Sequence, residues 1–201
     1  MRRAIQVGFL ILFSVLMITG RVQIWLGIFL ISLLAAPFLG RIYCGYICPI
    51  DTLTTAAKGI AKKRKWRIPE WIKNPMIRYL ALAALLVAMI FSVRSGARLP
   101  ILPAITAVAV VLSLLFEEAL WHRYLCPYGT LLSLSARLGW RGYRVTADDC
   151  ISCGRCEKVC PSHAISGSDI TTGSPAQVQT AECLLCGRCA EICPVDAINR
   201  V

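Results

Sequence analysis

Residues Cys150 to Pro161 read CISCGRCEKVCP, and residues Cys183 to Pro194 repeat the same spacing as CLLCGRCAEICP. Each run has three cysteines at every third position and a fourth cysteine directly before proline. The dipeptide Ala-Ile follows each run at the same distance, at Ala164-Ile165 and Ala197-Ile198, so the whole unit recurs with Cys183 in the place of Cys150. Three thiols at this spacing form a loop that can wrap one corner of a metal cluster. The repeat therefore predicts two metal-binding halves of similar structure.

Cysteine chemistry leaves two kinds of cofactor for these runs. The chain has 11 cysteines, an odd number that excludes complete disulfide pairing within one chain. Zinc sites with four cysteines usually pair two C-x-x-C segments across a longer spacer, whereas a doubled run of four is typical of [4Fe–4S] clusters. No C-x-x-C-H sequence is present, so attached c-type haem is not indicated. The spacing favours two iron–sulfur clusters over two zinc sites.

The two runs resemble the bacterial two-cluster ferredoxins, in which the fourth cysteine of each run binds the other cluster. The resemblance implies two sets of four ligands. One cluster is expected on Cys150, Cys153, Cys156 and Cys193, and the other on Cys183, Cys186, Cys189 and Cys160. Residues 141–201 are then an α+β ferredoxin domain with short strands at the Ala-Ile dipeptides and a polar connection over residues 166–180. The join to the preceding domain is placed at Gly139 to Val145.

The preceding part of the chain is strongly apolar. Hydrophobic residues make up 57% of the sequence and charged residues only 16%, which is unlike a soluble domain. Four runs contain no Asp, Glu, Lys or Arg, namely residues 4–20, 22–40, 79–93 and 99–116. Each approaches the ~20 residues that cross a hydrocarbon core, and Thr19-Gly20-Arg21 is the natural turn between the first two. We therefore predict an α-helical membrane domain of four transmembrane helices in residues 1–140, because a soluble bundle would have no polar face for water.

The excess of positive over negative charge lies in this apolar part. The net charge of +11 divides into +14 over residues 1–144 and −3 over residues 145–201. Basic residues cluster between the second and third predicted spans, at Lys58, Lys62, Lys63, Arg64, Lys65, Arg67 and Lys73. By the positive-inside rule, the chain crosses the inner (cytoplasmic) membrane several times, with both termini and the ferredoxin domain in the cytoplasm. The basic loop is expected to contact anionic membrane lipid, and we expect no nucleic-acid partner.

Three further cysteines lie in a second duplication. Residues 40–53 and 118–131 each follow a predicted span and align with each other position by position. Cys48-Pro49 then matches Cys126-Pro127, and Cys44 matches His122. We name these two segments the first and the second Cys-Pro element. The membrane domain is therefore predicted to be a duplicated hairpin, with each copy ending in a Cys-Pro element at the cytoplasmic edge.

With these elements included, the sequence resembles the membrane ferredoxin-type proteins of the NapH kind, which are related to the polyferredoxin parts of NosR and CcoG. Those proteins combine membrane spans, paired C-x-x-x-C-P elements and a two-cluster ferredoxin. The resemblance implies electron transfer from membrane quinol towards reductases. It also makes Cys44, Cys48, His122 and Cys126 a candidate third metal or redox site, with His122 in place of the usual cysteine. The alternative is that His122 is a helix-end residue and the three cysteines are unligated thiols.

The second Cys-Pro element also carries an acidic group. Glu118 precedes His122 by four residues, which places both on one face of an α-helix. A carboxylate at membrane depth is costly and often marks a proton pathway, so Glu118 is a candidate to accept protons from quinol. The simpler interpretation, which we favour, is a solvated carboxylate at the membrane edge. Tyr43 and Trp121 are expected to anchor the membrane interface rather than line a quinone pocket.

These observations lead to one main functional hypothesis. The chain is expected to be an iron–sulfur protein that relays electrons between a membrane carrier, quinol by resemblance, and another ferredoxin-type or reductase subunit. The first alternative is an accessory factor that reduces or transfers metal for a respiratory metalloenzyme. The second is a membrane anchor whose ferredoxin only docks partners. The sequence shows no nucleophile or substrate pocket, so we expect an electron-transfer subunit rather than an independent enzyme.

Overall fold

The computed structural model is mostly helical and describes residues 2–60, 66, 68–95, 101–139 and 141–201. These residues form two compact units, one combining Met1–Pro49 with Leu131–Val201 and the other comprising Ile50–Thr130. The domain boundary between residues 140 and 141 stays a prediction. Of the predicted basic loop, Lys62, Lys63, Arg64, Lys65 and Arg67 lie outside the described residues.

The elements are named in chain order. The α-helices are α1 (Arg2–Ile18), α2 (Val22–Leu39), α3 (Pro49–Ile60), α4 (Pro75–Ser95), α5 (Ile101–Leu115), α6 (Pro127–Ala136), α7 (Arg155–Val159) and α8 (Arg188–Ile192). The strands are β1 (Tyr143–Val145), β2 (Ile165–Ser166), β3 (Gln177–Val178) and β4 (Ile198–Arg200). Two π-helical turns cover Tyr43–Ile47 and Leu120–Leu125, and two 3₁₀ turns cover Glu70–Lys73 and Thr180–Glu182.

A tight turn joins α1 to α2 in the first unit. Gly20 has a φ of +70°, a left-handed conformation that glycine adopts without a Cβ clash. This conformation lets the Arg21 N–H donate to the Leu16 carbonyl at 3.0 Å, as in the Schellman ending of a helix. The predicted turn at Thr19-Gly20-Arg21 is therefore confirmed.

Both Cys-Pro elements fold as a π turn followed by an α-helix. The Cys48 N–H donates to the Tyr43 carbonyl and the Cys126 N–H to the Trp121 carbonyl, each at 2.8 Å. The proline that follows each cysteine begins α3 or α6, where its missing N–H costs no helical hydrogen bond. The duplication of the Cys-Pro elements is thus present in the backbone. The sequence does not reveal the π turns, in which an N–H donates to the carbonyl five residues earlier.

Helices α4 and α5 belong to the second unit. Its core contains Ile68, Ala119 and Leu120, against which Leu112 and Phe116 pack. These helices correspond to the third and fourth predicted spans, of which residues 99 and 100 lie outside the described residues. The apolar side chains of α5 therefore contribute to a core around the second Cys-Pro element.

Short antiparallel strands frame the C-terminal part of the first unit. Strand β1 pairs with β4, and β2 pairs with β3. The strands predicted at the two Ala-Ile dipeptides are present as β2 and β4. Strand β1 begins within the predicted join, and its Val145 pairs opposite Ile198 in the β1–β4 ladder. The segment predicted as a polar connection also contains a strand, since β3 lies within residues 166–180.

Among the described helices, α2 and the Pro75–Ser92 part of α4 are long and apolar enough to cross a membrane. Helix α1 has 17 residues and α5 has 15, which leaves both shorter than these two. Large apolar side chains are exposed along α2, including Leu34 and Phe38, and along α4, including Leu80 and Val87. The four-span prediction is therefore met in part, with four apolar helices of which two have the length of a span.

Candidate metal centres

One cavity in the first unit is surrounded by four cysteines. Its lining includes Cys150, Cys153, Cys156 and Cys193. The first three come from the first cysteine run, whereas Cys193 closes the second run. The rest of the lining includes apolar residues, among them Val145 and Ile198, and the polar residues Ser152, Arg155 and Ser168. We name this the first cavity.

A second cavity lies at the other cysteine run. Its lining includes Cys160, Cys183, Cys186 and Cys189, so the fourth cysteine again comes from the opposite run. We name it the second cavity. The fold thus brings together the same two sets of four cysteines that the ferredoxin resemblance implies. Helices α7 and α8, which lie just before the crossing cysteines, pack against each other.

The backbone around the two cavities is also duplicated. Ser152 and Leu185 have φ values of +54° and +55°, and His163 and Asp196 have +47° and +49°. The two members of each pair occupy equivalent positions of the repeated cysteine unit. A non-glycine residue in this left-handed region costs of order 1–3 kcal/mol and persists only where its surroundings require it. The same strain in both runs indicates one loop design, in which neighbouring backbone N–H groups turn towards a negatively charged ligand.

The chemistry of the donors fits a [4Fe–4S] cluster in each cavity. All 11 cysteines are free of disulfides. Burial raises the pKa of Cys189 to about 12 and also raises the pKa of Cys183 and Cys156. Thiols in this environment stay protonated until iron replaces the proton, because a coordinated thiol is deprotonated outright. Within the described part of the chain, no three His, Cys, Asp or Glu side chains are arranged to hold a single metal ion; a four-iron cluster instead takes one thiolate on each iron.

Backbone N–H donors are present beside the thiols. The Ala164 N–H donates to Cys160 Sγ at 3.2 Å, and the Ser162 hydroxyl lies 3.7 Å from the same sulfur. Hydrogen bonds to cluster sulfurs are one of the ways a protein sets a reduction potential. The second cavity is therefore equipped both to bind a cluster and to adjust its potential.

A buried ion pair lies behind the second cavity. Arg41 Nη1 and Glu182 Oε2 are 3.0 Å apart, and their side chains are only 1% and 8% exposed. The Ser133 hydroxyl donates to the other carboxylate oxygen at 2.9 Å, and the Ser162 hydroxyl donates to the Glu182 carbonyl at 2.9 Å. Arg41 Nη2 also lies 3.9 Å from Cys44 Sγ. Sequence reasoning did not single out Arg41 or Glu182, because 141 residues separate them.

The first Cys-Pro element is more buried than the sequence suggests. Cys44 is buried and Cys48 is partly buried. Tyr43 is also buried, accepts a hydrogen bond from Trp25 Nε1 at 3.0 Å, and packs edge-on against Phe29. The prediction that Tyr43 anchors a membrane interface is therefore wrong, because its ring and hydroxyl are used inside the first unit.

The second Cys-Pro element contains a buried polar group that lies within the second unit. His122 Nε2 is 3.5 Å from Asp51 Oδ1 and 3.4 Å from the Thr54 hydroxyl, and the histidine and aspartate side chains are 7% and 2% exposed. Cys126 Sγ accepts a hydrogen bond from the Gly129 N–H at 3.3 Å. His122 is thus held by a carboxylate and a hydroxyl, and Asp51 is the partner that sequence reasoning missed.

Two interpretations of this element need correction. Glu118 is only 5% exposed, so the interpretation as a solvated carboxylate is wrong. Trp121 is buried as well, which excludes it as an exposed interface anchor. Both side chains are drawn inside because residues 118–125 pass into a π turn at the core of the second unit. A proton-accepting role for Glu118 stays a prediction.

Comparison with protein families finds two kinds of iron–sulfur domain. A 4Fe-4S dicluster domain matches residues 126–198, which include both cysteine runs. A 4Fe-4S binding domain matches twice, over residues 23–69 and 99–145, and each copy contains one Cys-Pro element. No solved structure matches the chain.

Curated relatives point the same way. YccM of Escherichia coli K12, named as a candidate electron transport protein, is 29% identical over 150 residues, which are 62% of this chain and 42% of that protein. The methylamine utilization ferredoxin-type protein MauN is 31% identical in Methylobacillus flagellatus, over 62% of this chain and 49% of that protein. MauN of Paracoccus denitrificans is 28% identical over 74% of this chain and 58% of that protein.

The chain spans about half the length of the curated relatives it matches. The finer resemblance to proteins of the NapH kind stays a prediction. The two matched domain types, the doubled cysteine runs and the two four-cysteine cavities agree with one another. The chain therefore carries 4Fe-4S ferredoxin-type domains and is similar to one protein named for electron transport and to others named as ferredoxin-type proteins.

Proposed function

We propose that this protein relays electrons between a membrane quinol and a redox partner through two [4Fe–4S] clusters, one in each four-cysteine cavity. The observation that carries the proposal is the crossed arrangement of the two cavities, each with three cysteines from one run and the last cysteine of the other. This arrangement is the ligand pattern of two-cluster ferredoxins. The relatives named for electron transport support the same function.

The residues of the chain have distinct tasks in this function. The cluster ligands are Cys150, Cys153, Cys156 and Cys193 in the first cavity and Cys183, Cys186, Cys189 and Cys160 in the second. A [4Fe–4S] cluster, when bound, takes up and releases one electron. Apolar side chains such as Ile165, Ala176 and Ile198 keep water from the interior between the two halves. The protein thereby fixes the positions and potentials of its redox centres, while the metal supplies the chemistry.

We further propose that α1, α2, α4 and α5 anchor the chain in the inner membrane. Exposed apolar side chains on α2 and α4 support this, because an apolar surface of that extent marks contact with lipid or protein. The basic residues between α3 and α4 support a cytoplasmic position for the loop, both termini and the ferredoxin part. A cysteine introduced at Ser95 is expected to react with a membrane-impermeant maleimide from the outside of intact cells, whereas one at the cytoplasmic Ser174 is expected to react only after lysis.

The Cys-Pro elements are proposed as the donor site. Quinol oxidation releases two electrons and two protons, so a donor site needs both a redox contact and proton acceptors. Cys44, Cys48 and Cys126 supply thiols, His122 is held by Asp51, and Glu118 is a buried carboxylate. Cys44 and Cys48 of the first unit are proposed to take part in metal binding or electron transfer, and so, within the second unit, are His122 and Cys126. Glu118 is proposed to accept protons. The electrons then pass singly through the two clusters to a ferredoxin-type or reductase subunit.

Cluster content and reduction test this function. The full chain, purified in detergent under anaerobic conditions, is expected to contain at least about eight iron atoms and eight inorganic sulfides, the content of two [4Fe–4S] clusters. Dithionite and a short-chain ubiquinol or menaquinol should both produce the EPR signals of reduced clusters. Zinc in place of iron would overturn the proposal. Clusters that dithionite reduces but neither quinol reduces would overturn the quinol relay and leave the accessory-factor alternative.

A further inference from the structure

The two cavities have the same sequence pattern but different surroundings. In the second run, Leu184 follows the first cysteine and is 2% exposed. In the first run, Ile151 stands at the position of Leu184 and is 54% exposed. The same position of the repeat is thus buried in the second run and exposed in the first, which indicates that the two runs have different roles. The difference lies in what covers the second run.

Residues 40–48 of the first Cys-Pro element cover it. A Cβ atom built on Gly45 would overlap the Leu184 carbonyl oxygen, and one on Gly40 would lie 2.8 Å from Leu185 Cδ1. Because glycine has no side chain, the second cysteine run can approach the backbone at both positions more closely than any other residue would allow. The element that carries Cys44 and Cys48 thus rests directly on the loop that carries Cys183 and Cys186.

Polar contacts fix this docking. Arg2 Nη1 donates to the Cys186 carbonyl at 2.8 Å, and Arg2 Nε donates to the Gly45 carbonyl at 3.2 Å. The Gln6 side-chain amide donates to the same Gly45 carbonyl at 3.0 Å. Side chains of helix α1 therefore bridge the first π turn and the second cysteine run by hydrogen bonds. These hydrogen bonds are accepted by backbone carbonyls, so no side chain of the second cysteine run marks them in the sequence.

The Arg41–Glu182 ion pair lies in the same contact. Glu182 directly precedes Cys183, and Arg41 precedes Cys44 by three residues. The residue equivalent to Glu182 in the first run is Asp149, which is exposed. A buried pair of opposite charges acts on its neighbours much more strongly than an exposed carboxylate, because water screens the exposed one. The second cavity therefore has a charge environment that the first lacks.

We propose that electrons from the donor reach the cluster of the second cavity first, and that the buried Arg41–Glu182 pair sets the reduction potential of that cluster. The inference rests on the proposed function. Each quinol gives two electrons and two protons; a cluster held by Cys183, Cys186, Cys189 and Cys160 would take the electrons one at a time ahead of a cluster held by Cys150, Cys153, Cys156 and Cys193, and the protons would go to the proton acceptor of the donor site and from it to solvent. The exposed first run is then the side from which the partner takes electrons.

Substitutions that each remove one charge of the ion pair test its effect on the reduction potential. Arg41→Gln leaves the Glu182 carboxylate uncompensated, so the midpoint potential of the second-cavity cluster should fall. Glu182→Gln leaves the guanidinium uncompensated, so the same potential should rise, and the double variant should lie between the two. Asp149→Asn is the matched control at the equivalent position and should shift neither cluster by a comparable amount. EPR-monitored redox titration of the full chain reads the two clusters separately, with signals assigned through Cys153→Ala and Cys186→Ala.

Two results would overturn the charge argument. Shifts of the same sign in Arg41→Gln and Glu182→Gln would show that both variants act only by loosening the fold. An equal shift of both clusters would show that the pair does not act on the second cavity in particular. The wild-type protein tests the proposed function separately. If neither cluster gives an EPR signal in the reduced wild type, the proposed function fails, whatever the order of electron transfer.

The order of the clusters has its own test. With Cys186→Ala, the remaining first-cavity cluster should be reduced by dithionite but at least tenfold more slowly by quinol than in the wild type. With Cys153→Ala, the remaining second-cavity cluster should be reduced by both. The opposite outcome, fast quinol reduction only in Cys186→Ala, would reverse the order. If either variant fails to fold, the rate of quinol reduction in Arg41→Gln and Glu182→Gln, measured for each signal, gives the same comparison.

Discussion

At the scale of single residues, Gly45 brings two distant segments of the first unit into contact. Its missing side chain admits the Leu184 carbonyl oxygen to a position that a Cβ atom would occupy. Backbone approach of this kind cannot be relieved by rotating a side chain, so any larger residue must displace the second cysteine run. The position is therefore sensitive to the smallest possible substitution.

Gly45→Ala is expected to destabilise the protein by about 1–3 kcal/mol, the usual cost of inserting atoms into a packed interior. The displacement should also broaden the EPR signal of the second-cavity cluster more than that of the first. Thermal unfolding in detergent and EPR of the reduced protein measure the two effects. Gly27→Ala is the control, because nothing lies within 4 Å of a Cβ on that helical glycine. An unchanged melting temperature in Gly45→Ala would contradict the close approach.

A second glycine is sensitive for a different reason. Gly20 has open space around it but a φ of +70°, so Gly20→Ala should cost about 1 kcal/mol through backbone strain at the end of α1. Gly8→Ala, in the middle of α1 with open space and no positive φ, should instead be neutral or stabilise the helix by up to about 1 kcal/mol. Melting temperatures of the two variants should move in opposite directions. Equal effects would contradict the helix ending described for Gly20.

At the scale of elements, the two Cys-Pro elements combine a π turn with a helix that starts at proline. Each turn directs a cysteine N–H back to a carbonyl five residues earlier, which widens the helix locally and is common at functional sites. The elements share their backbone but differ in chemistry, since Cys44 in one is replaced by His122 in the other. The proposed donor site depends on both.

Cys48→Ser is expected to slow quinol reduction of the clusters at least tenfold. The eight cysteines of the two cavities are untouched, so dithionite should still produce both cluster signals, and about eight iron atoms per chain should remain. Stopped-flow absorbance with quinol and an iron assay check these results. Iron above this content in the wild type that is lost in the variant would identify a third metal centre. A quinol rate equal to that of the wild type would remove Cys48 from the donor site.

Sequence patterns predict some of these elements and not others for physical reasons. The cysteine runs, the apolar helices and the turn at Gly20 depend on residues close together in the chain, so spacing and composition predict them. The Arg41–Glu182 contact joins residues 141 positions apart, and the group around His122 joins it to Thr54, 68 positions away; no local pattern encodes either. The burial of Glu118 and Trp121 was missed because a polar residue beside an apolar run looks the same whether it ends in water or in a core.

At the scale of the whole molecule, the first unit combines the beginning of the described chain with its C-terminal cysteine runs. The two cavities are lined by residues 143–198, and cluster binding supplies folding free energy to such a site. The second unit has its own core around Ala119 and Leu120. The units should therefore respond differently to loss of iron.

Removal of iron with an anaerobic chelator is expected to abolish amide protection in residues 143–200 while α4 and α5 keep most of theirs. The reason is that the core between the two cavities includes the cavity cysteines Cys156 and Cys189, whereas the core of the second unit contains none of the eight cavity cysteines. Hydrogen exchange with mass spectrometry, compared between the iron-loaded and chelated protein, measures the effect. Uniform loss of protection over both units would contradict it.

The ion pair between Arg41 and Glu182 also has a consequence for biogenesis. The ribosome makes Arg41 141 residues before its partner, a delay on the order of ten seconds at ordinary rates of synthesis. During that interval a guanidinium that ends up buried has no carboxylate partner, and the second cysteine run, on which the first Cys-Pro element rests, does not yet exist. Stable closure of α1, α2 and the first π turn must therefore wait for the last quarter of the chain. A nascent chain stalled before residue 182 should still expose Arg2 and Arg41 to protease, and release of the stall should protect them together.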